Sequence, residues 1–468
     1  MKLKTRGCLF MLKKLFAPTD MTVGSVWKSI VMFTLPMLIG NIAQQFYSTV
    51  DTIVVGQYAS NGDNAIAAVG SALPILNMLL VLFIGISAGA SVMVAQYFGG
   101  QKREELSYTV GNCITVTAIA CVGLIVVAAP LIRPILVVLN TPAAILDGCY
   151  NYLMISLVGM AGMAYYNILS GILRGLGDSV SALLYLLVAT GINIVLDLYF
   201  VIVLHLDVAG VALATVIAQM ISSVLCLVKL ARMRKQFDFG WRYMKPASQY
   251  VKTLIKLGLP SGATQAIFSS AMIVVQSLTN CFGEQFIAGN VVIMRVDGFA
   301  MMPNFSFGTA LTTFAGQNVG ACKYDRVSKG ALQGTLLAVG CSTVITAAIL
   351  LFGKPLMSVF TDTVDLVNMS YYLMKILSVG YIAVAVTQSL SGIMRGAGDT
   401  MTPMWISLIT TVAIRIPLAY GISFLTRTAE LPFGRSECIQ ISLLCSWVLG
   451  AVLTVIFYRF GKWKNKRI

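Results

Sequence analysis

Charge is scarce in this chain. Only 11% of its 468 residues are Asp, Glu, Lys or Arg, whereas a soluble domain carries roughly 25%. With 57% hydrophobic residues, too few polar ones remain to cover a core in water, so a water-soluble fold is excluded. Histidine is scarcer still: His205 stands alone, and the ten cysteines include no CxxC pair. A zinc site needs converging thiolates and imidazoles, so no metal centre, cofactor or catalytic site is expected. Cysteines such as Cys113, Cys121, Cys226, Cys341 and Cys445 lie within apolar runs and read as small packing residues. The net charge of +15 is not gathered into an aromatic-basic surface, which excludes nucleic acid as a partner. A cleavable leader is not expected either. Six uncharged residues separate Arg6 from Lys13 and Lys14, too few for a signal core. With Leu9, Phe10, Leu12, Leu15 and Phe16, this stretch reads as a short interfacial helix.

What the chain has instead is apolar length. Ile114–Ile132, Leu183–Leu204 and Gly334–Phe352 each approach or exceed the roughly 20 residues needed to cross hydrocarbon. Twelve spans are read, from 28–57 to 437–459, with the fourth at 146–173 and the tenth at 366–394. Connectors are short, so the backbone must satisfy itself within helices. With the N-terminus cytoplasmic, 26 Lys and Arg fall on the inner side and four (Arg133, Lys354, Arg427 and Arg435) on the outer. The positive-inside rule therefore makes both termini cytoplasmic.

The two halves repeat. SGILRGLGDS at 170–179 returns as SGIMRGAGDT at 391–400, an offset of 221. Gln96, Gly99 and Lys102 match Gln317, Gly320 and Lys323 at that offset, and Leu35-Pro36 matches Leu259-Pro260 at 224. Six spans per half is an even number, so the halves keep one orientation. The expected fold is an all-α membrane protein of twelve transmembrane helices in two parallel six-helix lobes, related by pseudo-two-fold symmetry along the membrane normal. The expected domains are a cytoplasmic segment at 1–27, lobes at 28–232 and 252–460, a cytoplasmic linker at 233–251 and a basic tail at 461–468.

Of 18 acids, Asp51, Asp197 and Asp297 fall well inside spans, where a carboxylate is costly and marks function. By helical rise, Asp51 lies roughly 9 Å below the outer end of the first span, Asp197 roughly 10 Å below that of the fifth, and Thr215 roughly 9 Å into the sixth. Asn193 is one helical turn from Asp197, on the same face. Two carboxylates, an amide oxygen and a hydroxyl at similar depth are hard donors suited to Na⁺ or to reversible protonation. The second half departs from this. The mate of Asp51 is Val275, and the mates of Asn193 and Asp197 are Ile414 and Leu418, with Arg415 beside them. Arg295 and Asp297, two residues apart, face different ways on a helix. Arg415 and Arg295 either pair with carboxylates or line water. Pro36 and Pro260 interrupt the helical hydrogen bonding and mark bending points. Gln44, Gln45 and Tyr47 lie between Pro36 and Asp51 and can line a cavity. Asn167 and its mate Gln388 form a symmetric polar pair. The RGxGD loops read as helix ends: glycine for a left-handed turn, with Asp178 or Asp399 capping the next helix.

These segments resemble the multidrug and toxic compound extrusion (MATE) family, over nearly the whole chain. The resemblance is carried by LPMLIGNIAQQFYSTVDTIVVGQ at 35–57, RGLGD, NIVLD at 193–197, GVALAT at 210–215, GQNVGA at 316–321 and RGAGD. It is nearest to the prokaryotic branch with a first-lobe cation site. It implies that Asp51, Asn193, Asp197 and Thr215 form the cation-responsive cluster, that Gln44, Tyr47 and Asn167 lie in or near the first-lobe cavity, and that Pro36 is the bend in the first helix. The second-lobe acids of another branch are missing here. The expectation is a monomeric antiporter of the cell's inner (plasma) membrane, exporting amphipathic, cationic small molecules in exchange for H⁺ or Na⁺. The alternative is a flippase for a lipid-linked or amphipathic precursor.

Overall fold

The computed structural model describes residues 19–58, 62–139 and 141–466, and all regular structure among them is helical. In chain order the helices are α1 Val26–Tyr58, α2 Gly62–Gly99, α3 Arg103–Val138, α4 Ala143–Val158, α5 Met160–Gly175, α6 Ser179–Leu198, α7 Asp207–Arg232 and the short α8 Trp241–Met244. There follow α9 Ser248–Asn280, α10 Glu284–Gly320, α11 Tyr324–Ser358, α12 Val364–Ser378, α13 Gly380–Gly396, α14 Met401–Leu408, α15 Ile416–Leu425 and α16 Cys438–Phe460. Ten stretches among the described residues are long and apolar enough to cross a bilayer, and the pairs α4–α5 and α12–α13 bring the number to twelve. The interfacial helix expected before Pro18 lies outside the described residues.

Sides of the helices show which solvent they meet. On α3, Ile119, Val122, Val126 and Val127 are exposed, while Cys113, Thr117 and Cys121 are buried. A water-soluble helix turns its large apolar residues inward; this one presents them to lipid and packs on its small and polar side.

The fourth and tenth spans, expected as continuous, are each broken. α4 and α5 meet at 49°, and α12 and α13 at 44°. The breaks fall at Gly159 and at Val379–Gly380, and the two glycines are 221 residues apart. A Cβ on Gly159 would strike Val216, and one on Gly380 would strike Trp447. The missing side chain lets a neighbouring helix press into the span where it turns.

The chain divides into two compact units, one built on Leu35–Gly262 and the other on Met21–Thr34 with Ala263–Ile468. This differs from the expected lobes at 28–232 and 252–460. The changeovers fall inside α1 and α9, within two residues of Pro36 and Pro260, and the helix runs through both prolines. The expected linker is also built into the first unit. Asp238 accepts from Arg103 Nε at 3.1 Å, Ala247 N–H donates to Asn112 Oδ1 at 2.7 Å, and Tyr108 stacks on Tyr250.

Within each unit the same crossing recurs. Gly171 and Gly175 of α5 lie against Ser87 and Ser91 of α2; their mates Gly392 and Gly396 of α13 lie against Gly308 and Thr312 of α10. Gly85 and Gly89 of α2 also meet Gly258 and Gly262 of α9, where a Cβ on Gly85 would stand 2.7 Å from the Gly258 carbonyl oxygen. Two GxxxG stretches thus bring backbones into direct contact.

The RGxGD turns close helices in matching fashion. Gly177 and Gly398 take φ of 86° and 97°. Asp178 N–H donates to the Leu173 carbonyl at 2.8 Å, and Asp399 N–H to that of Met394 at 2.9 Å, the six-to-one bond of a Schellman motif. Each aspartate then caps the next segment: Asp178 accepts from Ser181 N–H at 2.9 Å and Asp399 from Thr402 N–H at 3.2 Å.

Candidate ion and substrate site

Capped by Asp178, α6 carries Asn193 about four turns further on and Asp197 about five. Both side chains are completely buried, and Thr215 of α7 is 8% exposed. Asn193 Nδ2 donates to Thr215 Oγ1 at 3.4 Å, while Asn193 Oδ1 has no hydrogen-bond partner among the described residues. Directly after Asp197 the backbone widens into a π-turn, Tyr199–Val203, in which Leu204 N–H donates to the Tyr199 carbonyl at 3.2 Å. Such turns insert an extra residue and are common at functional sites; the sequence reading missed it. The structure brings Asn193 and Thr215 together and buries Asp197 one turn away. Asp51 and Tyr47 lie on the helical backbone of α1, with side chains outside the described residues. The described donors are a carboxylate, an amide oxygen and a hydroxyl. They suit a hard monovalent cation or a proton, and no cluster of three His, Cys, Asp or Glu is present among the described residues.

Three other expected residues share a cavity of about 180 Å³ in the first unit. Pro36, Gln44 and Asn167 line it together with Tyr166, Arg174 and Gln219. Of these, sequence reading passed over Tyr166 and Gln219 and took Arg174 only as inside charge. Asn167 is anchored by donating from Nδ2 to the Met163 carbonyl at 2.8 Å.

The second unit is built differently. Val275, the mate of Asp51, sits in its apolar core. Asp297 Oδ1 accepts from the hydroxyl of buried Tyr381 at 2.9 Å. Tyr381 is held in turn by Asn304, whose Nδ2 donates to its carbonyl at 3.3 Å and whose Oδ1 accepts from Ser342 at 2.7 Å. Arg415 lies within the electrostatic reach of Asp297 and ends the π-helical stretch Ile409–Arg415. Pro417 follows, and its ring clashes with the carbonyl four residues earlier, at Ala413, which breaks the α-helical ladder there. Arg295 is exposed, two residues from Asp297, and Gln388 packs its backbone on Gly308. Gln388, Arg295 and Arg415 belong to the second unit.

A polytopic helical protein with apolar outer faces, a repeated half and buried polar clusters is an integral membrane protein. The sequence profile of the MatE family matches residues 36–199 and 260–421, and the chain belongs to that family, whose members are transporters and not enzymes. The chain is 28% identical over 451 residues to the probable multidrug resistance protein YoeA of Bacillus subtilis, covering 95% of this chain and 96% of that one. It is 23% identical to the probable multidrug resistance protein NorM of Thermotoga maritima, covering 95% of each. A solved outward-facing multidrug resistance MATE transporter of the MOP superfamily superposes with a TM-score of 0.85 at 22% identity, covering 95% of this chain and 99% of that one.

Proposed function

We propose that this protein is a multidrug antiporter of the cell's inner membrane. It exports amphipathic, cationic small molecules in exchange for H⁺ or Na⁺ by alternating access. It works as a monomer with both termini in the cytoplasm. The observation that carries this reading is the buried Asn193–Asp197–Thr215 group in the first unit, whose counterparts for Asn193 and Asp197 in the second are Ile414 and Leu418. Burying a carboxylate in a bilayer is too costly to serve packing alone. Asp51, on the adjoining first span, completes the ion-responsive set. Pro36 and Pro260 are the bending points. The names of the relatives support drugs as cargo, and twelve spans with a buried acid favour antiport over a flippase.

The test is transport by purified protein in liposomes with independently imposed Na⁺ and pH gradients. An outward movement of a cationic dye driven by one of the two gradients is expected. Dye movement indifferent to both would overturn ion coupling.

A further inference from the structure

The cavity of the first unit holds a charge that has no ion-pair partner among the described residues. Arg174 ends α5 inside the first RGxGD turn, and its neighbours are neutral. Its Nη1 donates to Ser170 Oγ at 3.3 Å, while its Nε is buried with no hydrogen-bond partner. No ion pair among the described residues includes Arg174. The nearest carboxylate along the chain, Asp178, is taken by Lys229 at 3.1 Å. A second orphaned atom borders the same cavity, Gln219 Oε1 on α7. Burying a guanidinium without a counter-charge is unfavourable, and two orphaned polar groups around one space point to a ligand with an anion and a donor.

Arg395 stands at the same place in the repeated turn, and no ion pair among the described residues includes it either. Arg174 lines a cavity. That cavity has about 180 Å³, against about 30 Å³ for one water in the liquid, so it has room for a headgroup.

We propose that Arg174 and Gln219 form an anion-binding subsite that takes the carboxylate or phosphate of an amphipathic molecule. Arg174 Nε donates to the anion, and Gln219 accepts from an N–H or O–H on the same molecule. The site is distinct from the oxygen cluster: on α6 the cavity reaches Leu186, seven residues and roughly 10 Å short of Asn193. A wholly cationic cargo is repelled here, so the ligand is either an amphipath with an acidic group or an anionic lipid entering headgroup first.

Binding to the purified full-length protein in neutral detergent separates these. The probe is a dansyl-labelled undecanoate, compared with its methyl ester. The acid is expected to bind at least tenfold more tightly than the ester. Arg174→Gln should erase the difference, Arg174→Lys should keep part of it, and Gln219→Leu should weaken acid and ester alike, since the sulfonamide N–H it accepts from is common to both. Displacement of the acid by phosphatidylglycerol but not phosphatidylcholine names a lipid as the occupant; displacement by neither names a free amphipath, and both support an anion site. Equal binding of acid and ester to the wild-type protein overturns the proposal without any variant. So does a preference for the acid that survives in folded Arg174→Gln. Neither outcome bears on ion coupling, which the binding assay does not read.

Discussion

The carboxylate of Asp178 and the ammonium of Lys229 lie 3.1 Å apart, with the acid fully buried and the lysine side chain 20% exposed. Asp178 also caps α6, so one side chain ties the end of α5 and the start of α6 to the last turn of α7. Asp399 repeats the arrangement with Lys466 at 2.9 Å. Removing one partner of a buried pair costs about 3–5 kcal/mol, because it strands the other charge. Lys229→Met is therefore expected to lower the thermal stability of the detergent-solubilised protein strongly. Arg133→Met, which breaks a pair exposed on both sides, should cost about 1 kcal/mol or less. Fluorescence-detected size exclusion after heating compares the two directly.

Glycine substitutions should divide by contact. A Cβ on Gly392 would run into the Gly308 carbonyl, while one on Gly340 meets nothing within 4 Å. Gly392→Ala is expected to reduce the amount of folded protein sharply. Gly340→Ala should be neutral or stabilising by up to about 1 kcal/mol, the helix-propensity difference between the two residues. Equal melting temperatures for the two variants would count against the backbone contact.

Asp197→Asn is expected to keep the fold and the membrane level but to reduce gradient-driven export to background, since an amide cannot cycle a charge. Asp51→Asn should act nearly alike. Export at the wild-type rate by either variant in the liposome assay would remove that residue from the coupling group.

The linker should loosen in acid. The hydrogen bond from Arg103 holds the Asp238 carboxyl below its ordinary range. A depressed carboxylate contributes stability above its unfolded value of about 3.9 and loses it as pH falls through the lower folded value. Protection of the 233–247 stretch from a protease active in acid should thus be steady from pH 7 to about pH 5 and fall below about pH 4. Asp238→Asn should remove this pH dependence.

For orientation, single cysteines introduced at Gly62 in a cysteine-free background should react with an impermeant maleimide from outside. Those at Asp238 and Asp325 should react only after the cytoplasmic face is opened.

Much of this architecture was legible because lipid imposes simple rules on composition and length. The twelve spans, the repeat and the capping role of Asp178 and Asp399 follow from apolar runs, an offset of 221 and turn chemistry. The bend at Gly159 was not read, although its mate Gly380 carries the same signal, because an unbroken apolar run hides a kink whose cause lies on another helix, at Val216 or Trp447. The π-turn after Asp197 leaves no mark on hydropathy, which cannot count residues per turn. Arg174 was read only as inside charge. Its place at a cytoplasmic helix end accounts for that charge, and only three-dimensional packing shows that no acid among the described residues pairs with it.

The glycine contact between α2 and α9 also determines where bending is free to occur. Gly258 and Gly262, on either side of Pro260, lie backbone against backbone on Gly85, and the chain leaves the first unit at Ala263. A beam clamped at one end deflects at the edge of its support. Pro260, whose missing hydrogen bond softens the helix, stands at that edge, so α9 is a cantilever with its weak point built in where the clamp ends.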